Sequence, residues 1–370
     1  MSGFMTDLQV VDRVLTHVRE KSTDRGTELW REPVDHYLSE QRLQRELALF
    51  RKLPIPFCPS AALADVGSYI ARPSAGVPLV VVRGKDGKVR AFKNACRHRG
   101  AQLAEGAGCT QAFVCPYHGW AYRLDGVLQN IPHEDGFPDI EKGDHGLVEL
   151  KAEERHGLVY VTQEADGPDN TLADDLPELI GGDQQVISSR ENLVDANWKV
   201  FMESFLEGYH IKYAHPETFY PYGYDNLNVI EMCGRNARVT YPFRRIEKLA
   251  GRPDEERIAE GRLTYVYHLF PNVLLTVLSR HTNLVILEPV TLTQTRQYSF
   301  GLTHGVHDKE ALEQAKRDAE FVSDTGVQED VALVTGIQRS IRSKANDCFV
   351  FGEFESAIVH FHKNLTTLLG

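Results

Sequence analysis

Two cysteine–histidine pairs constrain this chain more than any other feature of its sequence. Cys96 and His98 are separated by one residue, and Cys115 and His118 by two. Two thiolates and two imidazoles are the ligands of a [2Fe–2S] cluster in which cysteines hold one iron and histidines hold the other. The same four ligands also occur in Cys2His2 zinc sites. The pairs therefore predict a metal centre and leave both alternatives open.

The residues around these pairs predict a small antiparallel β domain. The β-branched run Leu79–Arg83, the turn Gly84–Lys88 and the strand Val89–Phe92 form a predicted hairpin. Short strand patterns continue to Gly157–Val161. We place this β domain at residues 51–165.

The remainder of the chain alternates between helical and strand patterns. Residues 1–50 show two stretches of helical spacing, Leu8–Val18 and Tyr37–Phe50, which we expect to pack on the C-terminal domain at 166–370. In the C-terminal domain, strand patterns are followed by long helical patterns. Their positions are Leu263–Leu269, Val273–Leu278, Asn283–Pro289 and Gln297–Thr303 for strands, and Asp308–Arg342 and Phe354–Leu369 for helices. The predicted fold class is α+β, with an antiparallel sheet covered by long helices. The stretch Asp166–Asp169 reads as a linker.

A second candidate metal site follows in the C-terminal domain. Glu207 and His210 are three residues apart and are expected on one helix face. His215 directly precedes Pro216, which ends the helix and lets His215 turn back toward His210. Two histidines and a remote carboxylate would form the facial triad of a non-haem Fe(II) oxygenase.

Composition excludes several other classes of protein. The formal net charge of −11 disfavours nucleic-acid binding, which requires a basic face. The sequence has no apolar run long enough for a membrane span, and its first residues lack a secretory signal. Six cysteines in 370 residues indicate a reducing, cytoplasmic setting. We expect the cysteines outside the two pairs to be small buried side chains; they are Cys58, Cys109, Cys233 and Cys348.

Both candidate sites lie in phrases that resemble one known family. The segments 94–101 and 115–120 are similar to the two cluster-binding loops of Rieske proteins, and this similarity favours [2Fe–2S] over zinc. Asn197-Trp198-Lys199, followed by Glu207, His210 and His215, resembles the catalytic signature of Rieske non-haem iron oxygenases, the ring-hydroxylating α-subunit family. The resemblance implies a Rieske domain and a helix-grip (START-like) catalytic domain. It also implies a homotrimer carrying a [2Fe–2S] cluster and one Fe(II) per chain.

The resemblance also implies roles for individual residues. The third iron ligand should lie in the acidic stretch upstream of Gln338, where Asp330 is our choice, Glu329 the alternative and Asp324 a weaker candidate. Glu207 should bridge the two metal centres of neighbouring subunits through His118. Glu207 and Asn197 are therefore predicted as catalytic residues.

The same resemblance describes the reaction and its partners. O2 is the co-substrate, and its electrons should come from a separate ferredoxin or flavin reductase, so NAD(P)H acts only indirectly. The chain itself has no dinucleotide-binding motif. The expected reaction is mono- or dioxygenation, or demethylation, of a small substrate.

Two substrate classes remain open. Glu207 and the segment 203–210 look closest to the group that oxidises carnitine or choline. Aromatic faces for such a cation could come from Phe201, Phe205, Tyr265 and Tyr267. An aromatic acid would instead need a cation such as Arg280. His360 and His362 are interpreted as structural.

Two rival interpretations place no oxygenation chemistry in this chain. It could be a Rieske electron-transfer protein or a helix-grip protein that binds a ligand without reacting. An oxygenase should hold three irons per chain, and either rival two or fewer.

Overall fold

The computed structural model describes residues 3–164, 176–278, 280–303, 309–324 and 326–370. The predicted linker at 166–169 therefore lies outside the described residues.

The chain divides into two compact units. One is the continuous segment Leu47–Asn170, and the other combines Met1–Glu46 with Thr171–Gly370. The boundary predicted between residues 50 and 51 lies four residues after the first of these divisions, and the boundary predicted between residues 165 and 166 lies five residues before the second. We call the two units the β unit and the split unit.

The N-terminal segment is more broken than its helical pattern predicts. Its elements are α1 (Asp7–Glu20), β1 (Trp30–Pro33), α2 (Asp35–Leu38) and α3 (Glu40–Lys52). A capping box between Thr6 and Gln9 starts α1, so the first predicted helix is confirmed. The second is interrupted at Ser39, whose extended backbone separates α2 from α3.

Up to residue 164, where the described part of the β unit ends, it contains ten antiparallel strands. They are β2 (Ile55–Pro59), β3 (Ser68–Ser74), β4 (Val77–Arg83), β5 (Val89–Lys93), β6 (Gly106–Cys109), β7 (Ala112–Val114), β8 (Ala121–Arg123), β9 (Leu128–Asn130), β10 (Glu149–Arg155) and β11 (Leu158–Thr162). One sheet has the order β2-β11-β10-β5-β4-β3-β6 and the other β7-β8-β9. The predicted hairpin is confirmed as β4 and β5, with Arg83 opposite Val89.

One cysteine prediction fails in this unit. Cys58 is buried on β2, but Cys109 is exposed on β6. The reason is topological, because β6 is the last strand of its sheet. Elsewhere Cys233 is buried and Cys348 is half-buried.

The C-terminal part of the split unit is a sheet with helices packed on it. Its strands are β12 (Gln185–Val194), β13 (Val229–Cys233), β14 (Asn236–Pro242), β15 (Leu263–Leu269), β16 (Val273–Val277), β17 (Thr282–Thr291), β18 (Gln294–Thr303) and β19 (Cys348–Phe351). Its helices are α4 (Trp198–Glu203), α5 (Ile211–Ala214), α6 (Lys309–Asp324), α7 (Gly326–Ser340) and α8 (Ser356–Leu369). The antiparallel order is β12-β18-β17-β16-β15-β14-β13, while β19 pairs with β1. The α+β class and the strands predicted within 263–303 are confirmed.

The helical pattern predicted over 308–342 is confirmed for 309–324 (α6) and 326–340 (α7), while residues 308 and 325 lie outside the described part of the chain. Gly326 in α7 packs against the ring of Phe219, where a Cβ would lie 2.0 Å from a ring carbon.

A buried ion pair fastens α4 to the N-terminal segment. Lys199 Nζ lies 2.8 and 3.0 Å from the two carboxylate oxygens of Glu46, and neither side chain is more than 1% exposed. Trp198 Nε1 donates to the same carboxylate at 2.9 Å. Such a buried charge is tolerated only while its partner is present.

A second buried group joins the N-terminal segment, α4 and α8. His362 Nε2 lies 2.9 Å from Glu203 Oε1, and its Nδ1 lies 3.4 Å from Glu32 Oε1. Burial lowers the pKa of His362, but the hydrogen bonds and charges of Glu203 and Glu32 outweigh it and raise that pKa overall. These contacts agree with a structural role for His362, and His360 bonds the Gly234 carbonyl.

Among the helices in the described part of the chain, none combines the length and apolar character needed to cross a bilayer.

Candidate metal centres and cavity

The two cysteine–histidine pairs occupy matching turns of the β unit. Gly100 N donates to Cys96 O at 2.8 Å, and Gly119 N donates to Cys115 O at 3.0 Å. Both glycines have positive φ, +77° and +73°, which a residue with a Cβ rarely adopts. Each turn therefore folds back tightly behind its cysteine.

The four side chains are arranged with sulfur inside and imidazole outside. Cys96 and Cys115 are 4% and 3% exposed, whereas His98 is half-buried and His118 exposed. The two imidazole rings lie 4.7 Å apart, and His98 stacks on Trp120 at 5.0 Å.

The spacing of these donors fits a two-iron cluster better than zinc. Four ligands of one tetrahedral zinc ion would lie about 3.3–3.8 Å from one another, given bonds of about 2.0–2.3 Å. Within the described ranges, the one group of three or more donor atoms that all lie within 4.8 Å consists of other residues. The two pairs are therefore spread more widely than a single ion requires.

Tyr122 is a contact of this centre that the sequence analysis did not identify. Its hydroxyl lies 3.2 Å from Cys96 Sγ and accepts a hydrogen bond from Arg97 N at 2.9 Å. The hydroxyl proton is thus left for the sulfur, where it would stabilise negative charge on a bound cluster.

The compact donor group is the second predicted site. It consists of His210, His215 and Asp330, with donor atoms within 4.8 Å of one another. His215 Nε2 lies 3.0 Å from Asp330 Oδ1 but is buried and makes no hydrogen bond. Ligands bound at right angles to one metal at about 2.1 Å would have this spacing of about 3 Å. The three side chains therefore fit a metal ion with open coordination positions.

The backbone around the two histidines does not form the helix that the sequence predicts. Glu207 and His210 lie in the non-helical stretch between α4 and α5, so they do not share a helix face. The Glu207 carboxylate instead accepts from the backbone N–H groups of Tyr209 and His210, and this turn brings it back to the His210 ring. His215 directly follows α5, as Pro216 predicted.

The outer nitrogen of each histidine faces a carboxylate. His210 Nδ1 lies 2.5 Å from Glu207 Oε1, and His215 Nδ1 lies 2.7 Å from Glu329 Oε2. Thr218 also donates to Glu329 at 2.7 Å. Burial lowers the pKa of both histidines, but the neighbouring carboxylates outweigh it and raise each pKa overall. Such outer carboxylates fix the tautomer that presents Nε2 to a metal.

Asp330 and Glu329, the two candidates on α7 for the third metal ligand, lie on different faces of this helix. Its buried positions are Gly326, Asp330, Val334 and Gln338, each four residues after the last. Asp330 lies on this stripe and Glu329 does not. The same periodicity, applied to α7 alone, was a signal available in the sequence. The side chain of Asp324 lies outside the described residues.

Asn197 has a helix-capping geometry. Its Oδ1 accepts from Lys199 N at 3.0 Å, and its Nδ2 donates to Leu292 O at 3.0 Å. Gln338 Oε1 accepts from Asn197 N at 2.7 Å. Asn197 is buried and does not line the cavity described next, so these contacts position α4 instead of touching a substrate.

A cavity of about 1050 Å³ opens beside the three-residue donor group. Aromatic side chains contribute much of its lining: Phe201, Phe205, Phe219, Tyr222, Tyr224, Tyr241 and Phe243. Arg280 lines it as well.

Two predicted pocket residues lie elsewhere. Tyr265 and Tyr267 contact Arg238 instead, with the Tyr265 ring 4.7 Å from the guanidinium and the Tyr267 hydroxyl at 3.2 Å. Tyr265 also donates to Asp7 at 2.8 Å. Both residues point away from the cavity because strand positions alternate between the two faces of a sheet.

Two family models match the chain. Residues 54–142 match the Rieske [2Fe–2S] domain, and residues 164–370 match the ring hydroxylating alpha subunit (catalytic domain).

Several curated proteins are similar in sequence. The carnitine monooxygenase oxygenase subunit of Escherichia coli (strain K12) is 28% identical, over 91% of this chain and 93% of that protein. The corresponding subunit of Acinetobacter pittii is 35% identical, but the match spans 50% of this chain and 53% of that protein. Chloroplastic choline monooxygenase of Arabidopsis thaliana is 30% identical, over 77% of this chain and 70% of that protein.

A solved structure shares the fold. The quaternary ammonium Rieske monooxygenase CntA, in complex with an inhibitor, has a TM-score of 0.80 and 23% identity, with both chains covered completely. Together with the two donor groups and the family models, these similarities show that the chain belongs to the ring-hydroxylating α-subunit family of Rieske-type non-haem iron oxygenases.

Proposed function

We propose that this chain is a terminal oxygenase that hydroxylates a carbon bonded to the quaternary nitrogen of a small ammonium compound. Electrons would come from a separate ferredoxin or flavin reductase, and the chain would act in the cytoplasm as a homotrimer. The observation that carries the proposal is the donor group His210, His215 and Asp330 at the wall of a large cavity.

The metal-binding roles follow from the geometry. Cys96, His98, Cys115 and His118 would hold the [2Fe–2S] cluster, and His210, His215 and Asp330 would hold Fe(II). When bound, these groups supply electrons and an open site at which O2 is activated. Glu207 and Glu329 orient the two imidazoles from outside. In the trimer, we assign Glu207 the bridge between His210 and His118 of a neighbouring copy.

The substrate class is supported by the cavity and by the relatives. Aromatic rings can hold a quaternary ammonium group through cation–π contacts without a hydrogen bond. Phe201 and Phe205 lie on one wall with ring centroids 5.2 Å apart, and Phe219 lies 4.8 Å from the His215 ring. The named substrates of the similar proteins include carnitine and choline. Hydroxylation beside the quaternary nitrogen would lead to cleavage of that C–N bond.

Product analysis tests the reaction. The iron-loaded oxygenase is supplied with a surrogate reductase and a panel of trimethylammonium compounds, aromatic acids and aromatic hydrocarbons. The proposal predicts O2 consumption coupled to an aldehyde and an amine product in the trimethylammonium series. Coupled product in the aromatic series alone would contradict the substrate class.

Metal analysis tests the assignment of the two sites. Wild-type protein should hold three irons per chain, and His210→Ala should keep the reduced-cluster EPR signal while losing the third iron and all product. Unchanged product formation by this variant would favour the electron-transfer rival. Two irons or fewer in fully loaded wild type would favour one of the two rivals.

A further inference from the structure

The cavity lining includes an apolar group and a polar group of side chains. The apolar group comes from the helices and the segments beside them: Phe201, Phe205, Ile211, Phe219, Val327 and Val331. The polar group comes from four strands, where it lies among apolar residues such as Val266 and Val285; its members are Ser188, Asn192, Thr276, Asn283, Gln297 and Ser299. Within the described chain, these polar side chains make no hydrogen bond with another residue.

Their positions form a continuous patch because they lie on the same face of neighbouring strands. Gln297 on β18 is opposite Asn192 on β12, and Asn283 on β17 is opposite Thr276 on β16. Ser299 lies two positions from Gln297, on the same face of β18.

Gln297 differs from the rest of the patch in its burial. The residue is 5% exposed, and its Nε2 is buried without any hydrogen-bond partner. A buried amide donor without a partner costs free energy, so native proteins almost always satisfy it. The Nε2 of His215 is also buried without a partner, but a metal held with His210 and Asp330 would account for it. Gln297 is not one of the proposed metal ligands, so a metal would not supply a partner for its Nε2.

We propose that Gln297 is a specificity-determining residue that donates a hydrogen bond from Nε2 to an acceptor oxygen of the substrate. This inference rests on the proposed function, because it assigns the polar end of the molecule whose other end is oxidised. The preferred substrate is then amphipathic. Its reacting carbon lies against the apolar group of side chains, and a carboxylate or hydroxyl group lies against Gln297 and the polar patch.

The proposed hydrogen bond predicts a higher affinity for a zwitterion that carries a carboxylate than for a cation of the same shape that lacks one. A site built around a hydrogen-bonding group rejects an analogue that lacks the matching group, since the buried donor is again left unpaired. A purely apolar cavity would instead accept both molecules with similar affinity.

Matched ligands and variants provide the test. γ-Butyrobetaine is compared with a trimethylammonium cation whose carboxylate is replaced by an isopropyl group of similar shape. A phenyl series repeats the comparison with 3-phenylpropanoate and its isopropyl analogue. Binding to the iron-loaded oxygenase is measured by calorimetry without O2, and KM and kcat are measured in the coupled assay. The variants are Gln297→Leu, which removes the donor, and Gln297→Asn, which keeps an amide.

Gln294→Leu serves as the control variant. It makes the same chemical change on the same strand outside the cavity, where Gln294 Nε2 donates to Asp195 at 2.9 Å. The expected result is that wild type and Gln294→Leu prefer the carboxylate ligand. Gln297→Leu should weaken binding of that ligand by about 10- to 100-fold, leave the isopropyl analogue within about twofold, and raise KM more than it lowers kcat. Gln297→Asn should recover part of the loss.

The outcomes separate this inference from the proposed function. If only the phenyl series yields product, the ammonium substrate class fails, and the phenyl pair decides the role of Gln297. If Gln297→Leu weakens both members of the oxidised pair equally, or neither, the inference is overturned. It is also overturned if wild type distinguishes the two ligands in neither series.

Discussion

Replacing Glu329 by Gln should weaken Fe(II) binding without abolishing it, whereas replacing Asp330 by Asn should abolish it. The two acids are adjacent in sequence but act on different atoms of one histidine. Asp330 Oδ1 lies 3.0 Å from His215 Nε2, on the metal side, and Glu329 Oε2 lies 2.7 Å from Nδ1, on the outer side. Only Asp330 belongs to the compact donor group.

The magnitude follows from what each substitution removes. Glutamine at 329 keeps a hydrogen-bond acceptor for His215 but loses the charge that raises the basicity of the imidazole. Loss of such an outer partner typically lowers metal affinity by about 10- to 100-fold, or about 1.4–2.7 kcal/mol. Asparagine at 330 removes one of three protein ligands, so its effect should exceed about 100-fold. Thr218→Val removes only the hydroxyl that donates a hydrogen bond to Glu329, so it should lower the Fe(II) affinity less than either of the other two substitutions.

Anaerobic Fe(II) titration against a competing chelator measures these affinities. The visible spectrum of the Rieske cluster reports in the same samples whether the β unit is intact. Loss of iron by Glu329→Gln together with retention by Asp330→Asn would refute the reasoning and make Glu329 the ligand. Equal effects of the two variants would refute the separation into inner and outer roles.

Three further predictions concern stability and reduction potential. Lys199→Met should lower the free energy of unfolding by about 1–3 kcal/mol, because the buried Glu46 carboxylate loses its ammonium partner and keeps only Arg42 Nε at 3.3 Å and the Trp198 hydrogen bond; a loss below about 0.5 kcal/mol in urea unfolding would contradict this. The pKa of His362 is raised in the folded state, so its stabilising charge is fully present below the ordinary value of 6.5 and is lost as the pH rises through the raised value. His362→Gln should therefore destabilise the protein more at about pH 6 than at about pH 9, and a pH-independent loss would argue against a charged His362. Tyr122→Phe removes the hydroxyl beside Cys96 Sγ and should lower the cluster potential by about 20–60 mV in an EPR-monitored titration; an unchanged potential would show that this contact does not tune it.

Local patterns in the sequence predicted what depends on neighbouring residues. The hairpin of β4 and β5 was predictable because a β-branched run, a glycine turn and a second run specify both strands and their register. The position of Pro216 likewise predicted that the short helix ends beside His215. The assignment of His210 and His215 to one metal site came from the resemblance of the surrounding residues to the family's signature. The partner β1 of β19 was not predicted, because its pairing joins residues from opposite ends of the chain.

The contacts and side-chain orientations that could not be predicted from the sequence depend on tertiary packing. The close packing of Phe219 on Gly326 joins two separate segments of the chain, and no periodicity encodes such a contact. The assignment of Tyr265 and Tyr267 to the pocket was wrong, because the presence of aromatic residues in a strand does not show which face of that strand lines a cavity. The position of Gln297 in the cavity lining was not predictable for the same reason, since a single glutamine in a strand does not indicate what surrounds it.

The split unit consists of two separate segments of the chain, so the β unit between them is translated completely before the split unit is. Every residue of Leu47–Asn170 is translated before His210, the first of the three clustered donors. Helix α8, which brings His362 to Glu32 and Glu203, is translated after both of these partners and after Asp330. Domains generally fold as units during synthesis. The nascent chain can thus acquire its iron–sulfur centre early, while the oxygen-activating half stays incomplete, and unable to react with O2, until Asp330 and α8 have been made.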